Sequence, residues 1–210
     1  MKVVVAGAGG QARVVLGILS HYPDIEVAGV ADRTSSTIGQ TVGKASIVAC
    51  WDELPDWRKR GIDAIVLALG DNAERQLMYN QVLQMGYEVL GIRHPTSIVE
   101  RGASVGPASI LCAGSIICSD AEIRENVIIN TGSIVEHECK IASHAHIGPG
   151  VRIGGRVSVG ERSFLGIGSC VIEKKRIGRD VILGAGSVVL CDLPDDAVAY
   201  GVPARIREQT

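Results

Sequence analysis

Large aliphatic residues recur at every sixth position along the second half of the chain. From Val99 to Pro194 the sequence divides into sixteen hexads without an insertion, and each hexad begins with Val, Ile or Leu. The fifth positions are mostly small or β-branched, as at Ala103, Ser109 and Val127. A period of six matches neither a helical face nor a simple alternating strand. It predicts a parallel β-helix in which short strands stack and the first position of each hexad fills the interior.

The first ninety residues carry a different pattern, in which apolar strands alternate with helical stretches. The predicted elements are, in order, a strand over 2–8, a helix over 11–21, a strand ending at Asp32, a short segment around Ile47, a strand over 62–70, a helix over 72–86 and a strand over 87–92. This alternation predicts a small parallel sheet of Rossmann type. We therefore predict two domains, a Rossmann-like domain over 1–94 and a β-helix domain with a C-terminal tail over 95–210.

Composition narrows the functional classes. Hydrophobic residues make up 46% of the 210 residues and aromatic residues 3%, and the formal net charge is −2. No long basic run is present, so nucleic acid is not an expected partner. The N-terminal sequence turns into glycines too early for a signal peptide, and no stretch has the length of a membrane span. We expect a cytoplasmic protein without membrane insertion, whose six cysteines are reduced structural thiols rather than a disulfide or zinc framework.

The turn after the first strand has the spacing of a nucleotide-binding loop. Its sequence GAGGQA places Gly9, Gly10 and Gln11 at the start of the helix, and Asp32 ends the next strand, where a ribose hydroxyl would lie. A dehydrogenase is one interpretation, but ninety residues leave room for one mononucleotide half and not two. We therefore predict a cradle for one nucleotide moiety, with backbone N–H groups facing phosphate. A tight turn without a ligand is the alternative.

A second glycine turn follows the strand over 62–70. Its sequence GDNAER contains Gly70 and Asn72. Ligands collect at the carboxyl ends of parallel strands, so the two turns are expected to share one site.

The segment NTGSIVEHECKIASHAH carries the candidate chemistry. His137 occupies the third place of its hexad, away from the inward positions, and is flanked by Glu136 and Glu138. A histidine can act as a general base near neutral pH, and a neighbouring carboxylate can fix its tautomer. An isolated surface histidine without a function is the alternative.

Uninterrupted hexads that end in YGVPARI resemble the left-handed β-helix of the hexapeptide-repeat acyltransferases. In that fold three hexads close one triangular coil, so residues eighteen apart lie one coil above another, about 4.8 Å apart. His137 should therefore lie between Ser119 and Gly155, and Glu138 between Asp120 and Arg156. A glycine above the base leaves room for an acyl group and offers an N–H to an oxyanion, although a corner glycine is the plain alternative.

The whole chain resembles one group within that superfamily, the bacterial sugar-nucleotide acetyltransferases. This group includes enzymes related to UDP-N-acetylbacillosamine and GDP-perosamine N-acetyltransferases and the sialic acid O-acetyltransferases. The resemblance implies that His137 is the general base and that Glu138 is its partner. It implies substrate contacts at Gly9, Gly10, Gln11, Asp32, Gly70, Asn72 and Asn130. It implies acetyl-CoA contacts at His146, Gly155, Ile167, Ala185 and Arg205. Gln11 and Ala31 depart from the histidine and acid that this group often carries, which leaves the nucleotide base open.

His146 lies half a coil from His137, so both can serve one site only if a neighbouring subunit brings them together. The resemblance accordingly implies a homotrimer with active sites between subunits. It also implies acetyl-CoA as cosubstrate, with no metal, and a step in polysaccharide or glycan biosynthesis. The basic segment from Lys174 to Arg179 is either a solvated corner or a contact for coenzyme A phosphates.

We thus expect direct acetylation of the amino group of a nucleotide-linked 4-amino-6-deoxy sugar. Three alternatives stay open at this point. The first is O-acetylation of a sialic acid or a related sugar. The second is a zinc β-helix enzyme of carbonic anhydrase type with His137, His144 and His146 as ligands. The third is a nucleotide sensor without catalysis.

Overall fold

The computed structural model describes residues 1–207 and divides into two compact units, Met1–Ile92 and a second unit that begins at Arg93. Within residues 1–207, none of the helices combines the length and apolar character that crossing a membrane requires. Each unit has its own core.

The first unit is an α/β sheet built from short apolar strands. Its strands are β1 (Lys2–Ala6), β2 (Glu26–Asp32), β3 (Thr41–Val42), β4 (Ala45–Cys50), β5 (Ala64–Leu67) and β6 (Glu88–Val89). The helices are α1 (Gly10–Leu19), α2 (Asn72–Gln84) and two 3-10 segments, Ser35–Thr37 and Trp51–Arg60. The sheet order is β3-β4-β2-β1-β5-β6, parallel except for the β3–β4 pair. The predicted parallel sheet is therefore confirmed.

Two features of this unit differ from the prediction. The stretch 87–92 was expected to form one strand, but it divides into β6 and a separate strand, Ile92–Arg93. The segment Trp51–Arg60 forms a 3-10 helix that the apolar pattern did not predict, because only Leu54 and Trp57 of its ten residues are buried.

The second unit is a triangular prism of stacked two-residue strands, as expected for a left-handed parallel β-helix. Face 1 contains Ile98–Val99, Ile116–Ile117, Ile134–Val135, Arg152–Ile153, Cys170–Val171 and Val188–Val189. Face 2 contains Ser104–Val105, Glu122–Ile123, Lys140–Ile141, Ser158–Val159 and Arg176–Ile177. Face 3 contains Ile92–Arg93, Ile110–Leu111, Ile128–Ile129, His146–Ile147, Phe164–Leu165, Ile182–Leu183, Val198–Tyr200 and the antiparallel Arg205–Arg207.

The interior of the prism follows the hexad pattern. First-position residues such as Ile117, Ile129 and Ile147 are fully buried, and fifth-position residues such as Ser133 pack beside them. The Ser133 hydroxyl donates to the carbonyls of Asn130 and Gly148, so the buried oxygen is hydrogen-bonded. Val105 is 38% exposed because its strand is the first on face 2 and has no coil below it.

The three corners of the prism are fixed by the fourth position of each hexad. From Gly102 to Gly186 all fifteen of these positions have φ between 53° and 79°. Corner 1, between faces 1 and 2, contains Gly102, Asp120, Glu138, Arg156 and Lys174; corner 2 contains Ala108, Asn126, His144, Arg162 and Asp180; corner 3 contains Gly114, Gly132, Gly150, Gly168 and Gly186. Corners 1 and 2 thus carry side chains at nearly every level, of which Ala108, Asn126 and His144 on corner 2 are buried, whereas corner 3 carries only glycines.

Candidate active site

His137 lies on corner 1, between the face 1 strand Ile134–Val135 and the face 2 strand Lys140–Ile141. Its side chain is 47% exposed. The imidazole therefore points away from the apolar interior, where a substrate can reach it. The two-residue strands on either side hold the backbone, because each is hydrogen-bonded to the coil above and the coil below.

Glu138 holds the imidazole of His137. Nδ1 of His137 is 2.9 Å from Oε2 of Glu138. The same carboxylate oxygen lies 3.4 Å from Nε of Arg156, one coil above. The backbone adds a second link, because the Arg156 N–H donates to the His137 carbonyl at 2.9 Å. Two adjacent levels of the corner thus restrain one side chain, and Nδ1 is the ring nitrogen engaged.

Gly155 lies directly over the other side of the ring. A Cβ at this position would be 2.5 Å from Nε2 and 2.6 Å from Cε1 of His137. No side chain other than hydrogen fits between this backbone and the imidazole. The predicted stacking of Gly155 above His137 and of Arg156 beside Glu138 is therefore present in the structure.

Further carboxylates surround the base. Oε2 of Glu136 is 3.4 Å from the His137 N–H, and Glu100 accepts from both the N–H and the hydroxyl of Ser119, one coil below. Burial, together with the carboxylates of Glu136 and Glu100, raises the pKa of the Cys118 thiol to about 11. Three carboxylates, those of Glu100, Glu136 and Glu138, thus lie on the same corner as the imidazole.

The predicted sugar contact Asn130 and the predicted acetyl-CoA contact His146 are hydrogen-bonded to each other. Nδ2 of Asn130 is 3.1 Å from Nε2 of His146, and the His146 ring packs edge-on against Phe164 with centroids 5.1 Å apart. Both side chains are less than 10% exposed in the single chain.

His144 lies on corner 2, where Nδ1 is 2.8 Å from Nδ2 of Asn126. The three histidines of the alternative zinc site thus occupy different parts of the prism, and residues 1–207 contain no group of three His, Cys, Asp or Glu arranged for a metal.

The other predicted acetyl-CoA contacts lie at corner 3 and at the end of face 3. Ile167 is 58% exposed, and its carbonyl accepts from the N–H of Gly186, next to Ala185 in the coil above. Arg205 is exposed on the last strand of face 3. Within one chain, therefore, His137, Glu138 and Gly155 meet at corner 1, whereas Ile167 and Ala185 lie along corner 3.

The first unit contains the predicted nucleotide cradle. A cavity of about 400 Å³ is lined by Gly9, Gly10, Gln11, Asp32 and Gly70, together with Gly7, Ala8, Arg33, Trp51, Ala68, Leu69 and Glu74. The cavity opens onto the N-terminus of α1, which has no acidic residue in its first turn and no side-chain cap. Nε2 of Gln11 is buried there without a hydrogen-bond partner. A buried amide donor of this kind is unfavourable unless a ligand oxygen completes it.

Asp32 and Asn72 have different environments. Oδ2 of Asp32 accepts a 2.8 Å hydrogen bond from Thr37 and faces the cavity. Asn72 instead accepts from the buried Arg75 guanidinium at 2.8 Å and does not line the cavity. Burial lowers the pKa of Arg75 to about 10, and its Nη1 donates to the Leu69 carbonyl. Asn72 thus helps to hold Arg75 against the turn that contains Gly70, and it does not contact the cavity.

Sequence reasoning missed Arg33, Trp51 and Glu74 at this cavity. Arg33 directly follows Asp32, and Trp51 directly follows β4, so both positions are strand ends where ligands collect. That signal was present in the sequence, but pairing Arg33 with Glu74 required the fold, because the two are 41 positions apart.

Comparisons with known proteins agree with both units. The family model for the PglD N-terminal domain matches residues 2–82, and the model for the bacterial transferase hexapeptide (six repeats) matches residues 120–155. No curated protein matches the chain by sequence.

Solved structures match over the whole chain. A histidine-to-alanine variant of GDP-perosamine N-acetyltransferase from Caulobacter crescentus, in complex with CoA and GDP-perosamine, is 36% identical, with a TM-score of 0.94 over 100% of this chain and 98% of that one. PerB from the same organism, with CoA and GDP-perosamine, is 37% identical over 99% and 98%, with a TM-score of 0.93. The acetyltransferase domain of PglB from Neisseria gonorrhoeae is 27% identical over 98% and 99%, with a TM-score of 0.90.

Proposed function

The chain belongs to the hexapeptide-repeat sugar acetyltransferases that carry a PglD-type N-terminal domain, and from this premise we propose that it acetylates the amine of a nucleotide-linked amino sugar with acetyl-CoA. The observation that carries the proposal is the His137–Glu138 pair held beneath Gly155. The relatives with CoA, acetyl-CoA and GDP-perosamine support the choice of both substrates. A 4-amino-6-deoxy sugar is the proposed acceptor, in a step of glycan or polysaccharide biosynthesis.

The proposed reaction is direct transfer from thioester to amine. The amine nitrogen attacks the thioester carbonyl carbon while Nε2 of His137 takes the amine proton. The carbon–sulfur bond then breaks, and the same proton is returned to the leaving thiolate, which gives the amide and CoA. Glu138 orients the ring through Nδ1 and stabilises the imidazolium that forms.

Gly155 is the proposed oxyanion contact. Its carbonyl accepts from the Lys174 N–H, which fixes the peptide orientation at this level of corner 1. A backbone N–H placed beside the base can donate to the tetrahedral oxyanion, and one such donor contributes about 2.7–4 kcal/mol to the rate in comparable enzymes.

The cradle is proposed to hold the diphosphate. Helix N-termini favour anions, and the N-terminus of α1 lies against glycines with the unpartnered Nε2 of Gln11 beside it. A phosphate oxygen would accept from that amide. Asp32 is the proposed ribose contact, because it lines the same cavity.

A homotrimer is proposed because the acetyl-CoA contacts divide between two corners of one prism. Gly155 lies on corner 1, whereas Ile167 and Ala185 lie at corner 3, so one acyl donor can touch both sets only across two chains. Face 1 also presents Ile98 and Ile134 outward, in contrast to the polar residues outward on face 2. An apolar face of this kind is typical of a subunit interface.

We propose the cytoplasm as the compartment. All six cysteines are free, which a reducing environment maintains.

The test is a thiol-release assay with acetyl-CoA and a panel of UDP-, GDP- and dTDP-linked 4-amino sugars. We expect release only with an amine acceptor, and His137→Ala to lower kcat by several orders of magnitude with acetyl-CoA binding unchanged. Glu122→Gln, an exposed carboxylate on face 2, is the control. Equal activity with sialic acid hydroxyl acceptors would favour the O-acetyltransferase alternative, and no release with any acceptor would contradict the proposal.

A further inference from the structure

A second and larger cavity of the first unit has no role in the proposed reaction. It has a volume of about 1180 Å³ and lies between the 3-10 segment Trp51–Arg60 and helix α2. Its walls combine apolar side chains such as Pro55, Leu77 and Met78 with the charged pair Arg33 and Glu74. The other polar residues of the lining are Asp52, Asp71, Gln81 and Gln84, so the lining is half apolar and half polar. A cleft that combines apolar walls with convergent polar groups is a usual form of a small-molecule site.

The cleft continues the nucleotide cradle. Arg33, Trp51 and Glu74 line both cavities, so the two spaces meet at these three side chains. In the proposed function the diphosphate lies at the N-terminus of α1 and the ribose at Asp32. A base attached to that ribose leaves the cradle past Arg33, the residue that follows Asp32 in the sequence, and enters the cleft.

We propose that this cleft holds the nucleobase of the sugar nucleotide and that the Arg33–Glu74 pair selects guanine. The proposal rests on the proposed function for the presence of a nucleotide, and it deepens that function by naming the base. Its support is the geometry of the pair, in which Nη1 of Arg33 lies 3.2 Å from Oε1 of Glu74 with both side chains accessible from the cleft.

The polarity of the pair matches one edge of guanine. Guanine presents O6 and N7 as acceptors and, beside them, N1–H and the 2-amino group as donors. A guanidinium donates to O6 and N7, and a carboxylate accepts from N1–H and the 2-amino group. Adenine and cytosine present an amino donor beside a ring acceptor, which is the opposite order. Uracil and thymine match at one carbonyl and one N–H, but they lack N7 and the 2-amino group.

Local structure holds the pair and supplies a stacking surface. Asp71 caps helix α2 by accepting from the Glu74 N–H at 2.8 Å, which fixes the backbone of Glu74 in the first turn. The indole Nε1 of Trp51 donates to the Ala31 carbonyl at 3.1 Å, so the ring is anchored where both cavities meet. A fixed aromatic ring accepts any base by stacking, and selection between bases is left to the hydrogen bonds of Arg33 and Glu74.

The experiment measures binding of free nucleoside diphosphates to the full chain by calorimetry, without acetyl-CoA. We expect GDP to bind at least tenfold more tightly than UDP, dTDP or ADP, and about tenfold more tightly than inosine diphosphate, which lacks only the 2-amino group. Glu74→Gln should remove the difference between GDP and inosine diphosphate, and Arg33→Gln should weaken both equally. Glu26→Gln, which breaks an exposed ion pair with Lys2 in the same unit, is the matched control and should change nothing.

Two results would overturn base selection by this pair. One is binding of UDP or dTDP as tight as GDP by the unmodified chain, which needs no variant and therefore does not depend on folding. The other is an unchanged ratio between GDP and inosine diphosphate in Glu74→Gln that keeps the circular dichroism of the parent. Because these measurements omit acetyl-CoA, they are independent of the transfer assay, so guanine selectivity without transfer would contradict the proposed reaction alone.

Discussion

Replacing Gly155 by alanine tests the active-site geometry with a single methyl group. The new Cβ would lie 2.5 Å from Nε2, 2.6 Å from Cε1 and 3.1 Å from Cδ2 of His137. Nonbonded carbon atoms pack at about 3.5–4.0 Å, so the imidazole must move by about 1 Å or rotate away. The Gly155 backbone can accept alanine, since its φ lies outside the left-handed region. The substitution therefore perturbs the base and little else.

The expected magnitudes for activity and stability differ widely. A displacement of about 1 Å at a reacting group lowers the rate by roughly 100-fold, equivalent to about 2.7 kcal/mol of transition-state stabilisation. Stability should change by less than about 1 kcal/mol, because the obstructing atoms are the exposed end of the His137 side chain. The hydrogen bond to Glu138 that would be lost is also exposed, and such pairs contribute about 0–1 kcal/mol.

The neighbouring glycine provides a matched comparison. A Cβ at Gly154 would be 2.7 Å from the backbone nitrogen of Glu173, which cannot rotate away. Gly154→Ala should therefore cost about 1–3 kcal/mol and lower Tm by roughly 2–12 °C. Gly17→Ala in helix α1, where a Cβ meets nothing within 4 Å, should leave activity unchanged and raise Tm slightly.

Steady-state thiol release and thermal unfolding are measured for Gly155→Ala, Gly154→Ala and Gly17→Ala. The same measurements are made on His137→Ala and on the double variant that combines Gly155→Ala with His137→Ala. If the methyl acts by displacing the base, the double variant should be no slower than His137→Ala alone. Full activity of Gly155→Ala would refute the contact between this glycine and a working base. Losses that add in the double variant would show that Gly155 acts independently of His137.

Three further predictions follow from other contacts. Arg156→Gln removes the cation beside Glu138, so the negative charge of that carboxylate stabilises a protonated His137 ring more strongly. The acidic limb of the kcat/KM profile should therefore move to higher pH by up to about one unit at low salt. The control Arg124→Gln should not move the limb, and a limb that is unmoved in both variants would contradict the link. Burial raises the pKa of Cys118 to about 11 and of Cys112 to about 12, so both thiols should stay protonated at pH 8 and react slowly with iodoacetamide. Mass spectrometry of the labelled protein measures the reaction, and early labelling of Cys118 would disprove the prediction. Ile134→Asp places a charge on face 1 and should convert the proposed trimer to smaller species in sedimentation, whereas an unchanged mass would exclude face 1 as the interface.

The hexad period predicted the prism well because one physical requirement repeats at every coil. Each strand that has a coil on both sides buries one large aliphatic side chain, so Ile117, Ile129 and Ile147 occupy equivalent positions and their recurrence is visible in the sequence. The same regularity made the stacking of Gly155 over His137 predictable, since eighteen residues return the chain to the same corner. Geometry between adjacent coils needs no knowledge of side-chain conformations.

The hexad pattern did not predict the backbone conformation at the corners. Nine of the fifteen left-handed positions carry side chains rather than glycine, including Glu138 and Arg156. A left-handed non-glycine residue costs about 1 kcal/mol or more in isolation. At seven of these nine positions the N–H is bonded to the coil below, as from Glu138 to the Ser119 carbonyl at 3.1 Å. Hydrogen bonding between coils outweighs the local preference against a positive φ, and no short-range sequence pattern predicts this.

Contacts between distant parts of the first unit could not be predicted in the same way. The GAGGQA turn identified the cradle because its residues are consecutive, and Gln11 and Asp32 do line one cavity. Asn72 was assigned to the same site by its position in the turn, yet its amide serves the buried Arg75. Two residues of one turn can point in opposite directions, and the sequence does not record which.

The position of the candidate base follows from a change within a single column of the prism. The column of residues eighteen apart contains Arg101, Ser119, His137, Gly155 and Glu173. All of these except Gly155 have polar side chains, and Gly155 lies directly above the imidazole. On corner 3 glycine recurs at every level and offers backbone without a base, whereas on corner 2 the histidine is covered by Arg162. A reacting thioester needs both an accessible imidazole and bare backbone within a few ångströms of it, and only the first corner supplies the two at adjacent levels. The repeat therefore does more than support the site: it places the glycine and the base one above the other, so that mutation of either changes the same contact.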